Sequence, residues 1–284
     1  MVKEGKLAIV KWAGGKRQLL SQLEPLFPKK IEKYFEPFIG GGAVAFHIIK
    51  TRKPKKVILS DINEELINVY LTVRDDVEEL INLLKKYKIK HDKLGKDFYL
   101  NERKKDTFVM SNLSRAARFI YLNRTCFNGL YRVNSKGGFN VPMGNYKNPG
   151  IAQEKELREI SKLLQKVELK VQSFEKILSK VKKGDFVYFD PPYYPLNKTS
   201  FTTYTKDSFL EEEHKKLFDL FVELDKKGCK VMLSNSNAPF ILKLYKKYKK
   251  KMKNSKKKNV EASRMINCNA EKRGKVKEVV IMNY

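Results

Sequence analysis

The residues Asp190-Pro191-Pro192-Tyr193 follow directly on the apolar run Phe186–Phe189. That run reads as a short buried strand entered through a Gly-Asp turn. The tetrapeptide therefore falls where a strand of an open α/β sheet ends, at the crevice in which such sheets bind ligands. Two successive prolines fix the backbone and remove two N–H groups, leaving the Asp190 carboxylate and the Pro191 carbonyl as acceptors without local competitors. Two acceptors aimed at the two hydrogens of an exocyclic amine draw its nitrogen towards tetrahedral geometry and free a lone pair otherwise delocalised into an aromatic ring. Tyr193 adds a ring face for stacking. The element suits a rigid clamp for an aromatic amine; the plainer alternative is a strand-terminating turn.

A second set of residues suits a nucleotide-bearing ligand. Gly40-x-Gly42-x-x-Ala45 lies between strand and helix signals, and Asp61 closes the next strand 19 residues after Gly42. Glycines there let the backbone approach a ligand, and the acid can accept from ribose hydroxyls. Alone, this fits a dehydrogenase as well as any other adenosine-binding fold. The segment "WAGGKRQ" lacks the spacing and the Ser/Thr of a phosphate loop. Cys126, Cys229 and Cys268 are too far apart for a metal set or a disulfide framework, so buried thiols and no metal are expected.

Elements must position these residues. Strand patterns fall at 33–39, 55–61, 168–172, 185–190 and 229–235, with helical patterns after the first two and again between the last two. In that last helix Ser208 and Glu211 have capping-box spacing. Strand–helix alternation predicts a largely parallel α/β sheet covered on both faces, and the C-terminus reads as an antiparallel hairpin. Residues 74–166 differ: helical patterns run into a long loop dense in Gly, Asn, Tyr and basic residues, as functional loops are. The expected organisation is a discontinuous unit, 1–73 with 167–284, carrying an inserted, mainly helical 74–166.

Lys and Arg outnumber Asp and Glu by 60 to 32, for a net charge of +28. Residues 243–258 alone hold ten lysines and no acid, and read as an amphipathic helix with a solvated or phosphate-tracking face. Such a field favours polyanions, nucleic acid first. No signal peptide or membrane-length apolar run is evident, so a cytoplasmic, nucleoid-associated protein without membrane contact is expected.

Six segments in register, "KWAGGKRQLL", "YFEPFIGGGAVAF", "LSDINEELINVY", "YLNRTCFNGLYRVNSKGGFNVPMGNYKNP", "FVYFDPPYYPL" and "VMLSNS", resemble the Dam-type S-adenosylmethionine-dependent DNA adenine N6-methyltransferases. "FNGLYRVN" and "FNVPMGNY" are most similar to the enzymes that modify GATC. The resemblance implies a Rossmann-like methyltransferase sheet with an inserted target-recognition domain, transfer to a flipped-out adenine in double-stranded DNA, and a possible cognate restriction endonuclease acting on the same site.

It also implies roles. Trp12, Lys16, Glu36, Phe38, Gly40, Gly42, Asp61, Phe174 and Asp190 would bind S-adenosylmethionine, with Lys16 pairing the carboxylate of its methionine portion. The plainer alternative for Asp61 is a helix N-cap, and for Phe174 a core residue. Asp190, Pro191 and Tyr193 would carry the chemistry, with Pro192 stiffening the clamp. Lys11, Phe127, Asn128, Leu130, Arg132, Tyr146 and Lys147 would meet DNA, Arg132 and Asn128 at base edges. For Phe127 and Leu130 the alternative is core packing; for Lys147, a phosphate contact without sequence information. Rival readings keep the amine chemistry on cytosine N4 or RNA, or leave a non-catalytic DNA-binding relative.

Overall fold

The computed structural model describes residues 7–135, 137–195, 209–263 and 275–284. In chain order its helices and strands are α1 (Leu20–Leu23), β1 (Lys33–Glu36), α2 (Ala43–Arg52), β2 (Lys56–Asp61), α3 (Glu64–Asp75), α4 (Val77–Leu94), α5 (Lys96–Lys104), α6 (Asn112–Thr125), α7 (Glu154–Leu164), β3 (Val167–Val171), β4 (Phe186–Phe189), α8 (Glu211–Lys226), β5 (Lys230–Ser236), α9 (Pro239–Lys249), β6 (Lys256–Ser263) and β7 (Lys275–Met282). The strands form one sheet in the order β3-β2-β1-β4-β5-β7-β6, parallel except for β7. The α/β class and the terminal antiparallel pair are as the sequence predicts.

Strand residues alternate between two cores because the side-chain period is two. Phe35, Ile58, Val187 and Phe189 face α8 and α9. Tyr34, Val57, Leu59, Phe186 and Tyr188 face the other side, in a core that continues through α2, α3 and α7 into α4–α6. β1 and β4 are neighbours, yet the chain leaves β1 towards β2 and β4 towards β5. This is the switch point of the sheet, where a crevice opens beyond the strand ends. Glu36 ends β1, Asp61 ends β2, and Asp190 follows β4.

The inserted helices hold their ends through side chains. Buried Arg118 donates to the carbonyls of Glu102 at 2.7 Å and Arg103 at 2.9 Å, satisfying groups that the end of α5 leaves without helical partners. The long loop after α6 contains a hairpin in which Val133 bridges Phe139, with Asn134 N donating to Gly138 O and Asn140 N to Arg132 O.

Three local expectations change. α8 begins at Glu211, after Leu210, whose N–H donates to Glu213 Oε2 at 3.1 Å; Ser208 lies outside the described residues. The helix N-cap after β2 is Asn63, accepting from Leu66 N, rather than Asp61. The lysine run is not one helix: α9 ends at Lys249, and Lys256, Lys257 and Lys258 belong to edge strand β6. A lysine-rich turn cannot keep 3.6-residue periodicity once Val260 must enter the core beside β7, and lysines on an edge strand discourage further pairing. Cys126 and Cys229 are buried free thiols, and burial pushes them up to about 12 and about 11 respectively; Cys268 lies outside the described residues. Among the described residues no His/Cys/Asp/Glu cluster suits a metal, and no helix is long and apolar enough to cross a membrane.

Candidate active site

At the end of β4, Asp190 meets a lysine from the other end of the chain. Lys16 is buried, its ammonium 2.8 Å from Asp190 Oδ1 and donating to the Gly14 carbonyl. Gly14 takes the left-handed conformation, φ 75°, which turns the chain back so that the lysine can reach inward. The same ammonium lies 4.6 Å over the Tyr193 ring and 4.0 Å from Glu278 Oε2, which accepts from the Tyr193 hydroxyl at 2.7 Å. Glu36 is buried nearby and accepts from Tyr34 at 2.6 Å. Burial pushes Glu36 well above the ordinary carboxylate range. Burial also raises Asp190 to about 6, against the opposing pull of Lys16. One ammonium thus faces two carboxylates, Asp190 and Glu278, and its charge also reaches Glu36. Lys16, expected to pair a cofactor carboxylate, lies against Asp190 in this structure.

The glycine turn after β1 is packed from both sides. A Cβ on Gly40 would lie 2.7 Å from the Trp12 ring, and one on Gly42 2.5 Å from the Tyr70 hydroxyl, so neither position accepts a side chain. Tyr70 donates to Gly40 O at 2.9 Å. Asp61 accepts from Asn63 N at 3.0 Å and Gly40 N at 3.4 Å, which ties the end of β2 to the turn. Burial raises Asp61 to about 6. Phe38 stacks on Phe174 at 5.3 Å, and both contact Phe209. Ser173 donates to the carboxylate of Glu175 at 2.9 Å, across Phe174.

Of the residues expected to meet DNA, Lys11 comes together with the 127–129 turn and with Tyr146. Asn123 on α6 accepts from Lys11 N and donates to Lys11 O and Gly129 O, stitching the N-terminal segment to the 127–129 turn. Asn128 and Gly129 are left-handed, and a Cβ on Gly129 would strike Lys11. Lys11 Nζ lies 4.1 Å over the Tyr146 ring. Phe127 is 43% exposed, which excludes core packing, whereas Leu130 packs on the core. Lys147 is exposed. Arg132 is exposed too, its fork fixed by Asn140: Nε donates to Oδ1 at 2.7 Å and Nη2 to the backbone carbonyl at 3.2 Å.

Tyr131 joins the two halves of the site, stacking on Trp12 at 5.8 Å and on Phe119 at 4.9 Å. Tyr131, Phe209, Asn123, Asn140 and Glu278 escaped the sequence reading. Tyr131 and Asn140 lie inside quoted motifs and their neighbourhood was visible; Glu278 and Phe209 lie in no motif.

Residues 12–261 match the family model for "D12 class N6 adenine-specific DNA methyltransferase". The chain is 47% identical to the type II methyltransferase M.MjaIII of Methanocaldococcus jannaschii, over 97% of this chain and 98% of that protein. It is 45% identical to the type II methyltransferase M1.LlaDCHI of Lactococcus lactis subsp. cremoris, over 96% and 94%. Identity to the DNA adenine methylase of Escherichia coli is 32%, over 97% and 94%.

Proposed function

From the premise that this chain belongs to the D12 class of N6 adenine-specific DNA methyltransferases, we propose that Asp190, Pro191 and Tyr193 hold the amine of a flipped-out adenine at the switch point of the sheet. The enzyme is an adenine-specific DNA methyltransferase, and DNA is its substrate. The observation that carries the site assignment is the half-buried Asp190, just past the end of β4, with its Oδ1 2.8 Å from the buried Lys16 ammonium.

The chain's residues fit S-adenosylmethionine as methyl donor. Support comes from the tight glycine turn, the Asp61 carboxylate beside it, and the ring cluster of Phe38 and Phe174. Bound there, that group supplies an electrophilic methyl on a cationic sulfur. Asp61 would accept from the ribose hydroxyls, Phe174 and Phe38 would pack on the adenine moiety, and Trp12 would keep the Gly40–Gly42 turn in place.

Asp190 and the Pro191 carbonyl accept the two amine hydrogens, and Pro192 keeps the backbone from moving. Tyr193 supplies the stacking face. Because a carboxylate accepts better than a carboxylic acid, Asp190 must be ionised. No side-chain nucleophile is needed, so positioning supplies most of the rate.

Residues 74–166 act as the target-recognition unit, built on the catalytic unit of 1–73 and 167–284. Arg132 and Asn128 read base edges in the major groove. Phe127, exposed and on a left-handed turn, fits a wedge or stacking residue beside the flipped base. Leu130 supports it from the core, and Lys11, Tyr146 and Lys147 meet the backbone. The site is GATC, and the enzyme works in the cytoplasm on the nucleoid. The relatives named type II methyltransferases favour a restriction-modification role, with a cognate endonuclease acting on the same site.

The test is incubation with S-adenosylmethionine and unmethylated genomic DNA, followed by single-molecule mapping of modified bases. N6-methyladenine confined to GATC supports the full reading. The same mark at another sequence removes the base-reading assignment and keeps the clamp, while methylcytosine overturns the base assignment.

A further inference from the structure

Glu278 lies outside every motif, yet its side chain is buried at the centre of the site. The register sets it opposite Ser236, the last residue of β5, so the antiparallel β7 carries it to the end of the sheet where Asp190 sits. Its Oε2 accepts from Tyr193 at 2.7 Å and lies 4.0 Å from Lys16 Nζ, while Lys16 lies 2.8 Å from Asp190. Two carboxylates therefore divide one ammonium. A lysine facing Asp190 alone would hold that carboxylate as a closed ion pair, a poorer acceptor for an amine. A phenol with no partner would leave the Tyr193 ring free to turn about its side-chain bonds.

We propose that Glu278 is a positioning residue for methyl transfer, fixing the Tyr193 ring through its hydroxyl and drawing part of the Lys16 charge away from Asp190. This rests on the clamp reading of Asp190 and Tyr193. The groups facing Asp190 are Lys16 from the turn before α1, Tyr34 and Glu36 on β1, Tyr188 on β4, Tyr193 after β4 and Glu278 on β7. The Glu278 charge is one that raises Asp190.

The test uses the full chain with Glu278→Gln, which keeps size and an acceptor oxygen but loses charge, and Glu278→Ala, which loses both. Glu278→Ala should lower kcat by about 10- to 100-fold with the cofactor KM changed by less than about threefold. Glu278→Gln should recover part of that rate while the acid limb of kcat moves to lower pH, because a charge that raised Asp190 is gone. Tyr193→Phe added to Glu278→Ala should cost nothing further, since the two act as one unit. Asp190→Ala is measured alongside. If it turns over, the clamp reading falls and this inference with it. If it is dead while Glu278→Ala keeps wild-type kcat, or while the Glu278→Gln limb stays in place, the role of Glu278 alone is overturned.

Discussion

Lys16 and Asp190 stand far apart in sequence and 2.8 Å apart in the fold, with Lys16 almost wholly buried. A buried lysine must be paired, and its partner is the residue with which the clamp would hold the amine. Methyl transfer should therefore depend on Asp190 far more than DNA affinity does. Asp190→Ala should abolish turnover and leave duplex binding within about threefold of wild type, because most affinity comes from phosphate contacts elsewhere. Filter binding beside a tritium-transfer assay measures both; unchanged turnover would refute the clamp.

The pH dependence follows from burial. Asp190 at about 6 must be ionised to accept, so kcat/KM should fall as pH drops through that value. Stability runs the opposite way. The folded-state value lies above the unfolded one of about 3.9, so the folded chain binds the extra proton between the two. The contribution of Asp190 to stability is thus greatest below the unfolded value and is lost as pH rises through the folded one. A rate profile flat down to about pH 5 would contradict the raised value.

Among the described residues Asp61 is held by backbone N–H groups, those of Gly40 and Asn63, and by no cation. Asp61→Asn should weaken cofactor binding by about 10- to 100-fold, the loss of a charged hydrogen-bond acceptor worth about 1.5–3 kcal/mol. The protein without cofactor should melt no lower than wild type at neutral pH, since a half-buried carboxylate with a raised value is removed. Calorimetric titration and a thermal melt test the pair of claims. Unchanged affinity would return Asp61 to a purely structural role.

Arg132 reaches solvent with its guanidinium already oriented by Asn140. Arg132→Ala should lose discrimination at one base pair by about 1–3 kcal/mol. Asn140→Ala should give a smaller loss at the same base pair, through a mobile Arg132. Competition binding with single-substituted duplexes decides. An even loss across all sequences would make Arg132 a backbone contact.

The lysine run is now two features. On α9 the buried Ile241, Leu244, Tyr245 and Tyr248 leave Lys243, Lys246, Lys247 and Lys249 facing out. Changing those four to Gln should reduce the slope of log affinity against log salt by about 0.9 for each phosphate contact removed. Changing Lys256, Lys257 and Lys258 to Thr should instead promote association through the β6 edge, visible by size-exclusion chromatography. An unaltered slope in the first variant would make α9 a bystander.

The sequence by itself determined the parts that are local. Apolar runs ending in Asp61 and Asp190 named two strand ends, because burial on both faces of a parallel sheet demands such runs. Pro191 and Pro192 announced a stiff backbone through their own covalent geometry, and the glycines announced a turn after the first strand. Periodicity could not go further, since it registers neighbours along the chain and is blind to partners across it. Only the tertiary structure decided that Lys16 meets Asp190, that Tyr131 stacks on Trp12, and that Asn123 ties Lys11 to the 127–129 turn. It alone divided the lysine run, because pairing with β7 requires strand where composition suggested helix. Glu278 shows the limit most plainly. On its strand it is one acid among lysines and valines, and it became part of the site only because β7 runs antiparallel and so begins its path beside Tyr193.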